Sequence, residues 1–235
     1  MFFIPYGTAE PAPRRSFPYV NVFLVIVNVL VFLIELYLLG MFGPDRFESF
    51  INQHAFVPAH LGAGVLQLTL LTSLFLHAGF LHVIGNMMYL LPFGDNVEDR
   101  MGHVRYLLFY VICGVGASLI YALFNQGSPV PLIGASGAIA GVLGGYLALY
   151  PRGAKVKGFF WVIILLIPIR LPAVLFIGYW FLMQIFSSVA TLTGNVAAQS
   201  SGVAFLAHVG GFALGFVLAP LFARPVHVNQ ENALI

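Results

Sequence analysis

Three polar clusters stand out in a chain with few polar residues. The first is Gly134-Ala135-Ser136-Gly137-Ala138-Ile139-Ala140-Gly141, in which Ser136 opens an apolar segment after the uncharged loop Asn125 to Ile133. A serine at a helix start ordinarily serves as a cap. The flanking glycines argue for more, because they let another backbone or a substrate come close. A helix N-terminus also offers unpaired N–H groups that suit a developing oxyanion. The second cluster is Ala207-His208-Val209-Gly210-Gly211, with His208 in the first turn of the last apolar segment. An ionisable residue inside a span is costly and by default functional. The third is His82-Val83-Ile84-Gly85-Asn86, whose i, i+4 spacing puts two polar side chains on one helix face. They read either as a polar pair binding helices together or as donors aimed at an oxyanion. His77, five residues earlier, reads as support for the loop.

Serine hydrolysis needs a nucleophile, a base and an oxyanion site. Ser136, His208 and the His82/Asn86 pair fill those roles. Of the eight acidic residues only Glu35, Asp45 and Glu48 fall toward the same side, and none lies in the glycine-lined segments. A Ser–His dyad follows, with the imidazole oriented by packing.

The elements that position these residues are set by composition. Hydrophobic residues make up 60% of the 235 residues and charged residues 8%, with a mean hydropathy of +0.95. A soluble domain carries roughly 25% charged residues, so most of this surface must face lipid. The net charge of +2 gives no basis for nucleic-acid binding. The single cysteine, Cys113, permits no internal disulfide or cysteine-based metal site and reads as a packing residue. No His-Glu-x-x-His motif is present, no two histidines stand four apart, and Asp95 is the sole aspartate near a span. Zinc and aspartyl intramembrane proteolysis therefore lack their residues. No metal or other cofactor is expected.

A spanning helix needs roughly 20 mostly apolar residues. Six segments are expected to span: about Tyr19 to Leu39, Phe80 to Phe93, Val104 to Phe124, Ser136 to Tyr150, Ala173 to Ala190 and Phe205 to Leu221. The second and fourth are short and rich in small or polar residues, which places them centrally. The remaining apolar stretch, Phe159 to Ile169, is too short to span and reads as an interfacial connector. Met41 to Leu76 reads as a loop with short helices. Nine of ten basic residues share one face, which by the positive-inside rule is cytoplasmic, and Arg46 alone falls opposite. The expected fold is an all-α bundle of six spans over 18–223, both termini cytoplasmic. Residues 1–17 form a flexible lead-in and 224–235 a short tail. Gly137, Gly141 and Gly145 form a small-residue stripe, and Gly211 and Gly215 share a face with His208. Fourth and sixth spans can then pack with Ser136 beside the His208 ring.

At this point the chain resembles the rhomboid protease family. Gly134-Ala135-Ser136-Gly137, His208 with Gly210-Gly211 and Gly215, and His82-x-x-x-Asn86 carry the likeness. Leu70 to His82 and Trp180-Phe181-Leu182-Met183-Gln184 are similar to stretches of bacterial and archaeal members. The resemblance covers about Phe17 to Phe222. It implies Ser136 as nucleophile, His208 as general base, and an oxyanion site of His82, Asn86, Gly134 and the Ser136 N–H. His77, Gly137, Gly141, Gly211 and Gly215 would be structural support. It further implies single-span membrane proteins as substrates, cut near the outer face, and the plasma membrane of a prokaryote as the site of action. Two positions depart from the pattern. Leu68 and Thr69 stand where many members have Trp-Arg, and Ala140 stands where some have an aromatic that stacks on the histidine. A catalytically silent relative that binds client spans is the alternative, although such relatives often lack the serine or the histidine.

Overall fold

The computed structural model describes residues 2–10, 16–61, 68–162, 165–194 and 203–225. Arg14, Arg15 and most of the stretch from Gly194 to Gly202, between the fifth and sixth expected spans, lie outside them.

Among the described residues seven α-helices account for most of the chain: α1 Tyr19–His54, α2 Thr69–Thr72, α3 Phe80–Met101, α4 His103–Phe124, α5 Ser136–Leu149, α6 Ala173–Leu192 and α7 Phe205–Phe222. Helix α1 runs past the expected end of the first span. It kinks at Gly43, whose φ of 78° is open to glycine, just ahead of Pro44. The far arm to His54 belongs to the first loop.

By length and apolarity α1, α4, α6 and α7 can each cross a bilayer. Helices α2 and α3, bent by 93° at the break between Phe75 and Phe80, make a fifth candidate. Helix α5 is only 14 residues long, too short to meet that measure alone. Its length makes sense from its position: every residue from Gly137 to Tyr146 is buried, so α5 is enclosed by protein rather than lipid. The expected second span was set too short, since α3 continues through Pro92 to Met101.

The fold is mostly helical but not all-α. The lead-in expected to be flexible contains a strand, β1 Phe2–Ala9. The expected interfacial connector is a hairpin of β2 Lys155–Val162 and β3 Leu165–Pro172. The three form an antiparallel sheet in the order β1-β2-β3. Its prolines fit a sheet only at the margins, because proline has no N–H for a ladder. Pro168 and Pro172 lie on edge strand β3, and Pro5 lies on edge strand β1 next to a register shift.

Helices α5 and α7 form the densest pairing, built on glycine. A Cβ on Gly211 would collide with the carbonyl oxygen of Gly137, and one on Gly215 with that of Gly141. In lipid, where apolar burial gives helices no reason to associate, this close approach supplies the van der Waals contact that holds them. Gly141 is also closed off by Cys113, and Gly137 by Ala117, both from α4. Helix α4 thus backs the pair.

At the opposite end from Ser136, charged residues tie the helices together. The N-terminus of α1 has no cap of its own. The Glu98 carboxylate of α3 accepts the N–H groups of Val20 (3.0 Å) and Asn21 (2.7 Å) instead. Two of the four open donors of α1 are thereby satisfied from another helix. His103 Nδ1 adds a contact to Glu98, and the Asn21 side chain links Tyr106 to the Leu90 carbonyl. The Arg224 N–H donates to the Arg100 carbonyl at this same end, where Arg100 also stands over the Tyr150 ring.

Candidate active site

Ser136 and His208 start α5 and α7 at the same end of the bundle, and the glycine contacts above fix their separation. His208 Nε2 is 2.8 Å from Ser136 Oγ. On its other side, Nδ1 is 2.8 Å from Oε1 of Gln184 in α6. An amide oxygen can only accept, so Nδ1 carries the proton and Nε2 presents its lone pair to the serine. That is the tautomer a general base requires.

Packing alone does not orient the imidazole. Gln184 does so by hydrogen bond, with the Trp180 ring 6.0 Å away and the Phe205 ring 6.4 Å away, nearly perpendicular. Phe212 instead stacks on Phe181 at 4.0 Å. Ala140 is fully buried within the core and leaves the histidine to α6.

The third cluster meets the first through Gly134. A Cβ at this residue, whose φ is 120°, would lie 2.7 Å from His82 Nε2 and 3.8 Å from Asn86 Nδ2. The ring and the amide therefore face the segment leading into Ser136. The Ala78 N–H donates to His82 Nδ1 at 3.3 Å, so in the neutral ring Nε2 bears the hydrogen and points a donor toward Gly134.

Asn86 is held by a relay. His77 Nδ1–H donates to the Phe75 carbonyl, which leaves His77 Nε2 to accept one hydrogen of the Asn86 amide at 2.9 Å. The second hydrogen of that amide remains to be used. The His77 backbone N–H in turn donates to the buried Glu35 carboxylate of α1, at 3.1 and 3.3 Å to its two oxygens. Glu35 is thus an anchor for the loop ahead of α3, and not a member of the serine–histidine pair.

One expected contribution changes character. The Gly134 N–H donates to the Ser73 carbonyl at 2.8 Å and is not available to an oxyanion. Gly134 contributes the absence of a side chain, which lets His82 and Asn86 approach. A small pocket opens beside Ser136, lined by Ser73, Leu132, Gly134, Gly137, Ser118 and Ala207.

The geometry brings four of the expected residues, Ser136, His208, His82 and Asn86, to one place, with His77 immediately behind. Comparison with known proteins agrees in kind. The Rhomboid domain matches residues 65–225 of this chain. The chain belongs to the rhomboid family.

Among its relatives, RHOMBOID-like protein 4 of Arabidopsis thaliana is 30% identical over 251 residues, covering 93% of this chain and 57% of the relative. RHOMBOID-like protein 1 of the same plant is 30% identical over 244 residues, with 92% and 57% covered. The Rhomboid protease GluP of Bacillus subtilis is 34% identical over 158 residues, covering 66% of this chain and 26% of the relative. The chain thus spans little more than half the length of the plant relatives. Relatives from a plant and a bacterium do not single out the bacterial or archaeal branch, nor the prokaryotic plasma membrane expected from the sequence. Together with the apolar helices, the family makes this rhomboid an integral, multi-pass membrane protein.

Proposed function

We propose that this rhomboid is an intramembrane serine endopeptidase that cuts single-span membrane proteins near the outer face, using Ser136 and His208 as a dyad. The observation that carries the reading is the 2.8 Å contact between His208 Nε2 and Ser136 Oγ, with Nδ1 occupied by Gln184. The fuller architecture proposed with it has six spans, α3 and α5 being the central ones, and both termini cytoplasmic. The clustering of Arg100, Arg105, Arg152, Lys155, Lys157, Arg170 and Arg224 away from Ser136 supports that orientation.

As Ser136 Oγ attacks the scissile carbonyl, His208 Nε2 takes its proton. The carbonyl oxygen becomes an oxyanion. His82 Nε2–H, the second Asn86 amide hydrogen and the Ser136 N–H at the start of α5 supply the donors. His208 then returns the proton to the leaving amine, and water resolves the acyl-enzyme. A substrate helix has satisfied its own backbone, so it must unwind locally before it can be attacked. The alternative, a silent client-binding relative, has no use for a base-competent histidine tautomer on a serine.

The test is conversion of Ser136 to Ala in the full chain, reconstituted in liposomes with a single-span substrate. Cleavage and covalent labelling by a fluorophosphonate should both vanish. Undiminished cleavage overturns the assignment.

A further inference from the structure

The sheet presents an apolar surface that the catalytic reading leaves unexplained. Trp161, Leu165, Leu166 and Ile167, toward the tip of the β2–β3 hairpin, are 47%, 61%, 55% and 46% exposed. The base of the same hairpin is basic: Lys157 lies opposite Arg170 in register, and Lys155 opposite Pro172.

The direction of the hairpin relative to the helices follows from its neighbours. Strand β3 ends at Pro172 and α6 begins at Ala173, so the base is fixed where α6 meets the bilayer surface. Strand β1 runs alongside and reports depth. Near the base, Thr8 accepts from Asn96 (2.7 Å) and donates to the Pro92 carbonyl of α3. Near the tip, Phe3 pairs with Phe160, and its ring lies 5.0 Å from that of Phe176, one turn inside α6. Phe176 in turn lies parallel to the rings of Phe93 and Tyr89, and Tyr89 lies one turn beyond Pro92 toward Ser136's end of α3. By its middle, where the Phe3 ring lies over Gly158, the sheet has therefore advanced about one helical turn along α6 toward the bilayer interior.

We propose that the hairpin is a membrane anchor: its apolar tip is seated in the interfacial layer between headgroups and acyl chains, and its basic base faces anionic headgroups. The interface fits better than the hydrocarbon core. Among the described residues strand β3 is an outer strand of the sheet, and unpaired backbone groups are not tolerated in hydrocarbon. At the interface water still reaches them, and Pro168 and Pro172 remove two N–H groups from the requirement. Tryptophan and basic residues favour that layer.

Site-directed spin labelling tests the proposal on the full chain in liposomes of phosphatidylcholine and phosphatidylglycerol. Nitroxides are placed through Leu166→Cys, Ile167→Cys and, at the base, Lys155→Cys. All three side chains lie at the hairpin surface, while Cys113 is buried; the unsubstituted chain, treated alike, gives the background. At 166 and 167, collisions with oxygen should exceed those with a water-soluble nickel complex several-fold, and at 155 the order should reverse. Nickel access at 166 and 167 equal to that at 155 would put the tip in water and overturn the proposal. Exclusion of both reagents would overturn it too, since a second copy or another protein would then cover the tip.

Discussion

Gln184 Oε1 and His208 Nδ1 stand 2.8 Å apart, on two helices and 24 positions from each other in sequence. This contact gives the imidazole a defined tautomer without an acid. A neutral amide does not stabilise an imidazolium as a carboxylate would, so its contribution is orientation. Gln184→Leu should lower kcat about tenfold, the rate equivalent of one net hydrogen bond of ~1.4 kcal/mol, with KM little changed. Gln184→Glu should retain most of the activity, because its carboxylate offers the same acceptor. A Leu variant with wild-type kcat would remove Gln184 from the mechanism.

The oxyanion donors should act on turnover and not on binding. Asn86→Ala is expected to reduce kcat by about 10²–10³-fold, as for loss of one such donor elsewhere, with KM and thermal stability nearly unaltered. Steady-state kinetics on a single-span substrate reads this directly. An effect confined to KM would reassign Asn86 to substrate binding.

His77 should act through Asn86. Removal of either partner disturbs the same hydrogen bond, so His77→Ala and Asn86→Ala should not be additive in kcat. The double variant should be little worse than Asn86→Ala alone. Two independent losses that multiply would show that the relay from Phe75 through His77 has no part in aiming the amide.

Glycines at the α5–α7 contact should be intolerant, and exposed ones permissive. Gly211→Ala and Gly215→Ala each force a Cβ against a carbonyl oxygen of α5. Overpacking of this kind costs about 1–3 kcal/mol, more where backbone must move. Gly178→Ala, with nothing within 4 Å of its new Cβ, should be neutral or slightly stabilising in α6. Thermal unfolding in detergent ranks the three. Equal stability of all three would contradict the packing described.

Loss of Glu98 should destabilise the bundle without touching the chemistry. Glu98→Ala leaves the buried N–H of Asn21 and the half-buried N–H of Val20 without acceptors, at about 1–3 kcal/mol for the buried one and less for the other. Unfolding should shift accordingly, while kcat of the folded fraction stays near wild type. An unchanged unfolding midpoint would mean that water replaces the carboxylate.

Much of the site was legible because lipid makes polar residues conspicuous. Ser136, His208, His82 and Asn86 interrupt apolar segments, and their helical spacing places them at one depth. Gln184, part of a stretch that carries the resemblance, shows no role in the sequence, for the opposite reason. It belongs to a helix whose rotation the sequence does not set, and a lone glutamine there reads as easily toward lipid or water. Glu35 was seen as acidic but not as an anchor, since its partner is a backbone N–H, which carries no residue signature. The sheet is hidden because β1 lies far in sequence from the β2–β3 hairpin, and because β1 and β3 hold prolines, which argue against strands everywhere but at an edge. Helix α5 was found despite its shortness, because its glycines mark a helix enclosed by others.

Helix α1 precedes α3 in the chain, yet its first-turn donors close onto Glu98, some 77 positions downstream of Asn21. A segment made earlier is thus finished by one made later. Until α3 arrives, α1 can thread the membrane but cannot settle its own leading turn, so the order of synthesis and the order of completion run in opposite directions.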